Sequence, residues 1–211
     1  MKRRLPISLL AYLSCMFFLV SKLDAQVNVI EQDFESIPHQ LIQSATKKIL
    51  VVLDKGLDPV KKPEEFVKEV SIILEPIVAF DYIAKGVMGI YSQRASLEQF
   101  EQFSSVFKFR LINTYGKGMS NPGNLSVSIS PPAEPVGQKR RVSVFQEIRG
   151  NSSASQVVYS MARNRDGEWK MINVIINGVN LGETFRGQFA AAVEKNNGDL
   201  GKTINNWDKR G

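Results

Sequence analysis

The sequence predicts an α+β domain: a four-stranded antiparallel sheet with a long helix packed in the same body. Three observations predict it. Residues 31–120 carry apolar side chains at helical spacing, 125–177 read as strands, and 180–208 return to helical spacing. Helices segregated from a contiguous run of strands argue for an antiparallel sheet. The 211 residues suffice for one ordinary domain. With 43% hydrophobic and 23% charged residues, disordered and collagen-like chains are excluded.

The first 25 residues read as an address. Lys2, Arg3 and Arg4 precede an apolar run over 5–20, broken only by Pro6, Ser8 and Ser14. Leu23-Asp24-Ala25 ends in a small residue suited to cleavage. A run of about 16 residues is short for a membrane span, which wants roughly 20. Residues 1–25 are therefore read as a secretory signal peptide and 26–211 as the mature domain; an uncleaved anchor is the alternative. Cys15 invites lipidation, but Tyr12-Leu13-Ser14 is a poor lipobox and the apolar run continues past it. The full chain has a formal charge of +6; cleavage removes Lys2, Arg3, Arg4, Lys22 and Asp24, leaving +3. A nucleic-acid partner, which needs a concentrated basic face, loses most of its support. The single Cys leaves with the signal, which suits an oxidising, periplasm-like compartment. Asn124-Leu125-Ser126 and Asn151-Ser152-Ser153 match the glycosylation pattern, which is frequent by chance.

A first helix is expected over 36–53, with Ile37, Leu41, Ile42, Ala45, Ile49, Val52 and Leu53 on one face. Gly56 ends it, and Pro59 and Pro63 mark a loop. A short helix over 64–74 turns Phe66, Val67, Val70 and Ile73 inward, and Pro76 breaks it. Residues 77–91 are mostly helical, with Gly86 and Gly89 allowing close packing. Ser96-Leu97-Glu98-Gln99 is a capping box opening a helix to about 117. Its stripe of Leu97, Phe100, Phe103, Phe107, Leu111, Tyr115 and Met119 spans roughly 160°. Val106 and Phe109 lie off that arc, so this helix has apolar surface on more than one side.

Strands are expected over 125–130, stopped by Pro131-Pro132, and over 141–148, 155–163 and 168–177. Short turns, among them Asp166-Gly167, make a meander. Val174-Ile175-Ile176 is apolar on both pleat faces, which predicts cover on both sides. Gly178 bends the chain out. Asn180 caps a helix carrying Phe185, Phe189, Ala192 and Val193, and Asp199 caps a last one with Leu200, Ile204 and Trp207.

Catalytic machinery is hard to find. Without Cys, and with His39 as its one His, the mature chain offers no His/Cys metal cluster and a poor basis for a His triad. G-x-S-x-G, H-E-x-x-H and a Gly-rich phosphate loop do not occur. Glu64-Glu65 and Glu98/Glu101 sit at helix starts, where acids favour the dipole. Asp81 reads as a cap or a buried hydrogen-bond partner, and His39 as exposed. The expectation is no enzyme, no metal and no cofactor. What remains is apolar surplus, ten Phe in residues 26–211. Periodicity does not separate a filled core from a pocket.

Phe-Asp-Tyr-Ile-Ala-Lys-Gly-Val-Met-Gly at 80–89, the capped helix ending Tyr115-Gly116, and Glu-Trp-Lys-Met-Ile-Asn-Val-Ile-Ile-Asn-Gly-Val-Asn-Leu at 168–181 resemble the MlaC family. These are periplasmic phospholipid-binding proteins, also called toluene-tolerance or ABC-transporter auxiliary proteins. The resemblance covers about 36–208. The family pattern has Asp where this chain has Asn173 and Ser where it has Asn180; Asn180 keeps cap chemistry, and Asn173 loses a charge. The resemblance implies a nuclear-transport-factor-like α+β fold with a small helical subdomain over about 57–92, an α+β core over 36–56 and 93–208, and an apolar pocket for phospholipid acyl chains. It implies shuttling between an outer-membrane lipoprotein–porin complex and an inner-membrane ABC transporter with its substrate-binding protein, maintaining outer-membrane lipid asymmetry.

Such a pocket is expected to be walled by Phe80, Ile83, Val87 and Tyr91 from the subdomain and by Phe103, Phe107 and Leu111 from the long helix. Val144, Tyr159, Met161, Val174 and Ile176 come from the sheet, and Val179, Leu181 and Phe185 from its exit. For each of them ordinary core is the competing reading. Lys139-Arg140-Arg141 and Arg163-Asn164-Arg165 read as solvated turns, or as surfaces for partners or anionic head groups. Two other functions stay open: a secreted enzyme on the same fold, which needs polar groups converging in the pocket, and an adaptor working by surface contact alone.

Overall fold

The computed structural model describes residues 28–29, 36–117, 125–150 and 154–208. The expected signal peptide, Met119, Asn124 and the 151–153 turn with its glycosylation pattern lie outside the described residues. Helix α1 spans Ile37–Asp54 and α2 Pro63–Leu74, each with a proline in its first turn, where the missing N–H costs nothing. Helix α3, Phe80–Met88, runs into a 3-10 turn over Gly89–Gln93. The capping box forms as expected: Gln99 N–H donates to Ser96 Oγ and Ser96 N–H to Gln99 Oε1, both at 3.1 Å. It opens α4, Leu97–Lys117. Helices α5, Leu181–Lys195, and α6, Leu200–Asp208, start at Asn180 and Asp199, whose side chains accept from the N–H of Glu183 and Lys202.

The expected meander is β2 (Ser126–Ile129), β3 (Arg141–Arg149), β4 (Ala154–Arg163) and β5 (Trp169–Ile176). Two short strands extend the four to six: β1 (Asn28–Val29) lies parallel to β2, and β6 (Val179–Asn180) pairs antiparallel with β5. The β5–β6 turn is Asn177-Gly178 with φ +48° and +81°. Both values belong to the left-handed region a two-residue hairpin needs, and Asn-Gly supplies them at low cost.

The register shifts between Ser160 and Met161, leaving Ile172 as an extra residue in β5. Beside that irregularity the α2–α3 connection docks onto the strand. Met171 N–H donates to Ile77 O at 2.7 Å and Ala79 N–H to Met171 O at 3.0 Å. Val78 and Met171 thus form a parallel bridge on the part of β5 that β6 does not reach.

Val144, Tyr159 and Val174 are cross-strand neighbours on the face that meets the helices. One core joins α1, α2 and the 77–80 connection to Val144, Met161, Trp169 and Met171. A second joins α3, α4, α5 and α6 around Phe103, Phe107, Phe185, Phe189 and Trp207. The long helix α4 is packed, but between the cores. Phe103 and Phe107 face the second, while Ile112 belongs to the first and Gly116 meets Phe66 of α2. Leu97, the first residue of the expected stripe, is 73% exposed.

The expected cover on both faces of Val174-Ile175-Ile176 is found on one: Val174 and Ile176 pack against the cores, and Ile175 belongs to neither. Phe145, Val158 and Ile175 stand in register on the opposite face and belong to neither core, and Phe145 is 53% exposed. A meander with all its helices on one side has no second layer to offer. Asn173 keeps a structural role without the charge. Its Nδ2 donates to Asn180 Oδ1 at 3.0 Å, and its Oδ1 accepts from Gly182 N–H at 3.3 Å, so it holds the capping residue of α5 in place.

A Cβ at Gly116 would overlap the Phe66 ring, which is itself fully buried. Gly116→Ala is expected to lower stability by about 1–3 kcal/mol through overpacking. Urea denaturation followed by circular dichroism measures it, and an unchanged midpoint would refute the close approach of α2 and α4.

Candidate functional site

The two cores meet along a seam. Ile83 of α3, Leu111 of α4 and Val174 of β5 pack against both, and all three remain only partly buried. Beside them on the sheet, Tyr159 and Ile176 also keep accessible surface on the helix-covered face. Tyr159 is surrounded by protein, and that desolvation pushes its phenol well above the ordinary value. Apolar side chains lie here beneath a helix layer without being sealed by it.

The seam has one polar border. Tyr159 donates its hydroxyl proton to Gln146 Oε1 at 2.7 Å, and Gln146 Nε2 donates to Thr46 Oγ1 of α1 at 2.8 Å. Gln146 is buried, so the chain satisfies groups that would otherwise be costly to bury. His39 lies nearer the start of α1, with Nδ1 2.9 Å from Ser36 Oγ. Its expected exposure is corrected: it is 1% exposed, because the first turn of α1 faces the protein interior. Burial lowers its pKa from the ordinary 6.5.

Two open cavities flank this region. The larger, about 740 Å3, lies between the 130–139 connection and β3–β4, lined by Pro131, Pro132, Val136, Phe145 and Val158 among others. The smaller, about 430 Å3, lies between α3, β5 and the start of α5; Tyr82, Ile83, Lys85, Val87, Ile172 and Arg186 line it.

The expected pocket residues divide into groups. Phe80, Val144 and Met161 are buried in the first core; Val87, Phe103, Phe107, Leu181 and Phe185 are buried in the second. Ile83, Leu111 and Val174 form the seam. Tyr159 borders the first core, and Tyr91 and Ile176 border the second, all partly buried. Val179 is set apart: it stands on the edge strand, 53% exposed. Sequence reasoning passed over Gln146 and Thr46. A polar residue between Val144 and Ile148 at an inward position of an alternating strand was the available signal. It also passed over Arg186, whose role depends on a neighbour 100 positions away.

Nothing here resembles a reaction centre. Among the described residues no group of His, Cys, Asp or Glu is placed to hold a metal ion. Asp81 accepts from Ser104 Oγ at 2.7 Å, the hydrogen-bonding role expected of it. Ser44 and Lys47 on α1 and Ser105 and Lys108 on α4 have Ser-x-x-Lys spacing, but both serines are exposed. No helix of the described residues is long and apolar enough to cross a membrane.

Comparison with known proteins bears on this geometry. The family model described as MlaC protein matches residues 43–209. The toluene tolerance protein ttg2D of Pseudomonas putida is 37% identical over 172 residues, covering 81% of this chain and 79% of the relative. The intermembrane phospholipid transport system binding protein MlaC of Haemophilus influenzae is 26% identical over 151 residues, 70% of each chain. A phospholipid-binding protein from Ralstonia solanacearum, solved in complex with a phospholipid, superposes with a TM-score of 0.72. It is 24% identical, covering 83% of this chain and 97% of that one, a likeness of fold.

His39 gives the site a pH signature. Its imidazole is held neutral in the folded chain, while the unfolded chain takes up a proton as pH falls through about 6.5. The stability it contributes is complete above that value and declines as the solution is acidified. Urea midpoints between about pH 7 and pH 5 are expected to fall, and to fall less steeply in His39→Gln. Parallel slopes in the two proteins would show that His39 is not the group responsible.

Proposed function

The chain belongs to the MlaC family, and from that premise we propose that it is a periplasmic phospholipid carrier. It holds acyl chains along the seam between its two cores and passes lipid between an outer-membrane lipoprotein–porin complex and an inner-membrane ABC transporter with its substrate-binding protein. In this reading it maintains outer-membrane lipid asymmetry. The observation that carries the proposal is the seam: Ile83, Leu111 and Val174 are apolar, touch both cores and are not sealed. The phospholipid in the Ralstonia solanacearum protein and the transport name of the Haemophilus influenzae relative support the same cargo. The relatives are named for binding and tolerance, and the chain is read as a carrier rather than an enzyme.

The energetics suit a shuttle. Burying one methylene gains about 0.8 kcal/mol. Two chains of ~15 methylenes gain on the order of 25 kcal/mol over water, and a bilayer offers about the same. Exchange between membrane and carrier is then nearly balanced, so modest contacts with partners that favour the loaded or the empty form set direction. Methylenes carry little information, so chain selectivity is expected to be weak.

Purified from a bacterial periplasm without detergent, the protein is expected to carry stoichiometric phospholipid in native mass spectrometry and lipid extracts. A chain that arrives lipid-free and takes none from vesicles would end the carrier proposal.

A seam variant localises the cargo. Val174→Phe fills space between the cores and is expected to reduce lipid occupancy severalfold. Val158→Phe, on the opposite face of the sheet, should leave it unchanged. Equal loading of both variants would move the chains away from the seam.

A further inference from the structure

We propose that the cavity of about 430 Å3 between α3, β5 and the start of α5 is a binding site for a phosphate-ester anion, held by Lys85 and Arg186. The inference rests on the carrier reading and assigns the polar end of the cargo. The cavity falls within the usual range for small-molecule sites, roughly 300–1,000 Å3. Its lining is divided by chemistry. Ile83, Val87 and Ile172 are apolar; Lys85 and Arg186 are cations; Glu183 is the one carboxylate.

Arg186 is held in position. Its Nε donates to Gly86 O at 2.8 Å, and its Cγ and Cδ lie beside Gly89 at the end of α3. That leaves the two terminal nitrogens of the guanidinium for a ligand, in the fork that suits phosphate oxygens. Neither Arg186 nor Lys85 forms an ion pair with a carboxylate among the described residues. Both side chains are exposed at the cavity, so an anion reaches them without entering the core.

Ile83 connects this cavity to the interior, because it also touches both cores at the seam. A molecule with an anionic head at Lys85 and Arg186 can lead its apolar tail past Ile83 and Val87. Tyr82, 59% exposed, flanks the entrance and offers an amphipathic surface at the boundary. The Lys139 side of the larger cavity is a weaker candidate, since that ammonium is already engaged by Glu134.

The test uses the whole exported protein, stripped of lipid, with three probes: phosphatidylglycerol, diacylglycerol with the same acyl chains, and inorganic phosphate. Loading is measured by native mass spectrometry and titration. The wild-type chain is expected to prefer phosphatidylglycerol by about tenfold, the scale of one charge-assisted hydrogen bond. Lys85→Glu with Arg186→Gln should abolish that preference and leave diacylglycerol loading unchanged. Lys85→Glu alone keeps the Arg186–Gly86 bond, guards against a folding defect, and should lose part of the preference. Weak or absent binding of inorganic phosphate accompanies these results if the anion is a lipid head group. If neither lipid loads but inorganic phosphate binds and the variants abolish it, the anion site stands and the carrier reading falls. Equal wild-type loading of the two lipids, or an unchanged preference in both variants, overturns the anion site and leaves the carrier reading intact. Failure of all three probes overturns both.

Discussion

The backbone clasp between residues 77–79 and Met171 is the constraint on which the rest of the molecule depends. Two hydrogen bonds, Met171 N–H to Ile77 O and Ala79 N–H to Met171 O, join the end of the α2 segment to the free part of β5. The extra residue Ile172 bends the strand beside the clasp. The clasp covers an edge that would otherwise present unpaired backbone groups. It also sets where α3 begins, the helix that carries Ile83. Both the seam and the smaller cavity inherit their geometry from that point.

Packing around the clasp explains how apolar surface stays unsealed inside a small fold. The second core is dense with aromatic contacts: Phe103 to Phe189 at 4.6 Å, Phe107 to Phe185 at 5.4 Å and Phe189 to Trp207 at 5.3 Å between ring centres. The first core is closed by α1 and α2 around Phe66, Val144 and Met161. Each has its own set of fully buried side chains. Ile83, Leu111 and Val174 are shared between them, and it is along these partly buried residues that the proposed acyl chains would lie. Tyr159 and Gln146 limit that space on the first-core side with groups that already have their hydrogen bonds.

Much of the fold was legible because its signals are local. The Ser96–Gln99 box and the Asn180 and Asp199 caps act within one helical turn. The strands alternate, and their order follows the chain. The added strand β6 had a local signal in Asn177-Gly178, which favours a two-residue hairpin and was read only as a bend. Strand β1 and the Val78 bridge had none, because both pair residues far apart in sequence. His39 was misjudged because a single polar residue near a helix start carries no sign of which way that turn faces.

The sequence by itself determined the six α-helices, the four strands of the meander, the absence of a His/Cys metal cluster in residues 26–211, and a large stock of apolar side chains. These are consequences of spacing, capping and composition, and spacing survives without knowledge of the partner elements. The division of those apolar residues was decided only in three dimensions. Phe103 and Leu111 share one stripe, yet Phe103 is sealed in a core and Leu111 lies at the seam. Val174 and Val179 share one hairpin, yet one faces the interior and the other solvent. Periodicity assigns a residue to a face, whereas burial depends on what that face meets, and the α2–β5 clasp and the position of α4 between two cores settle that.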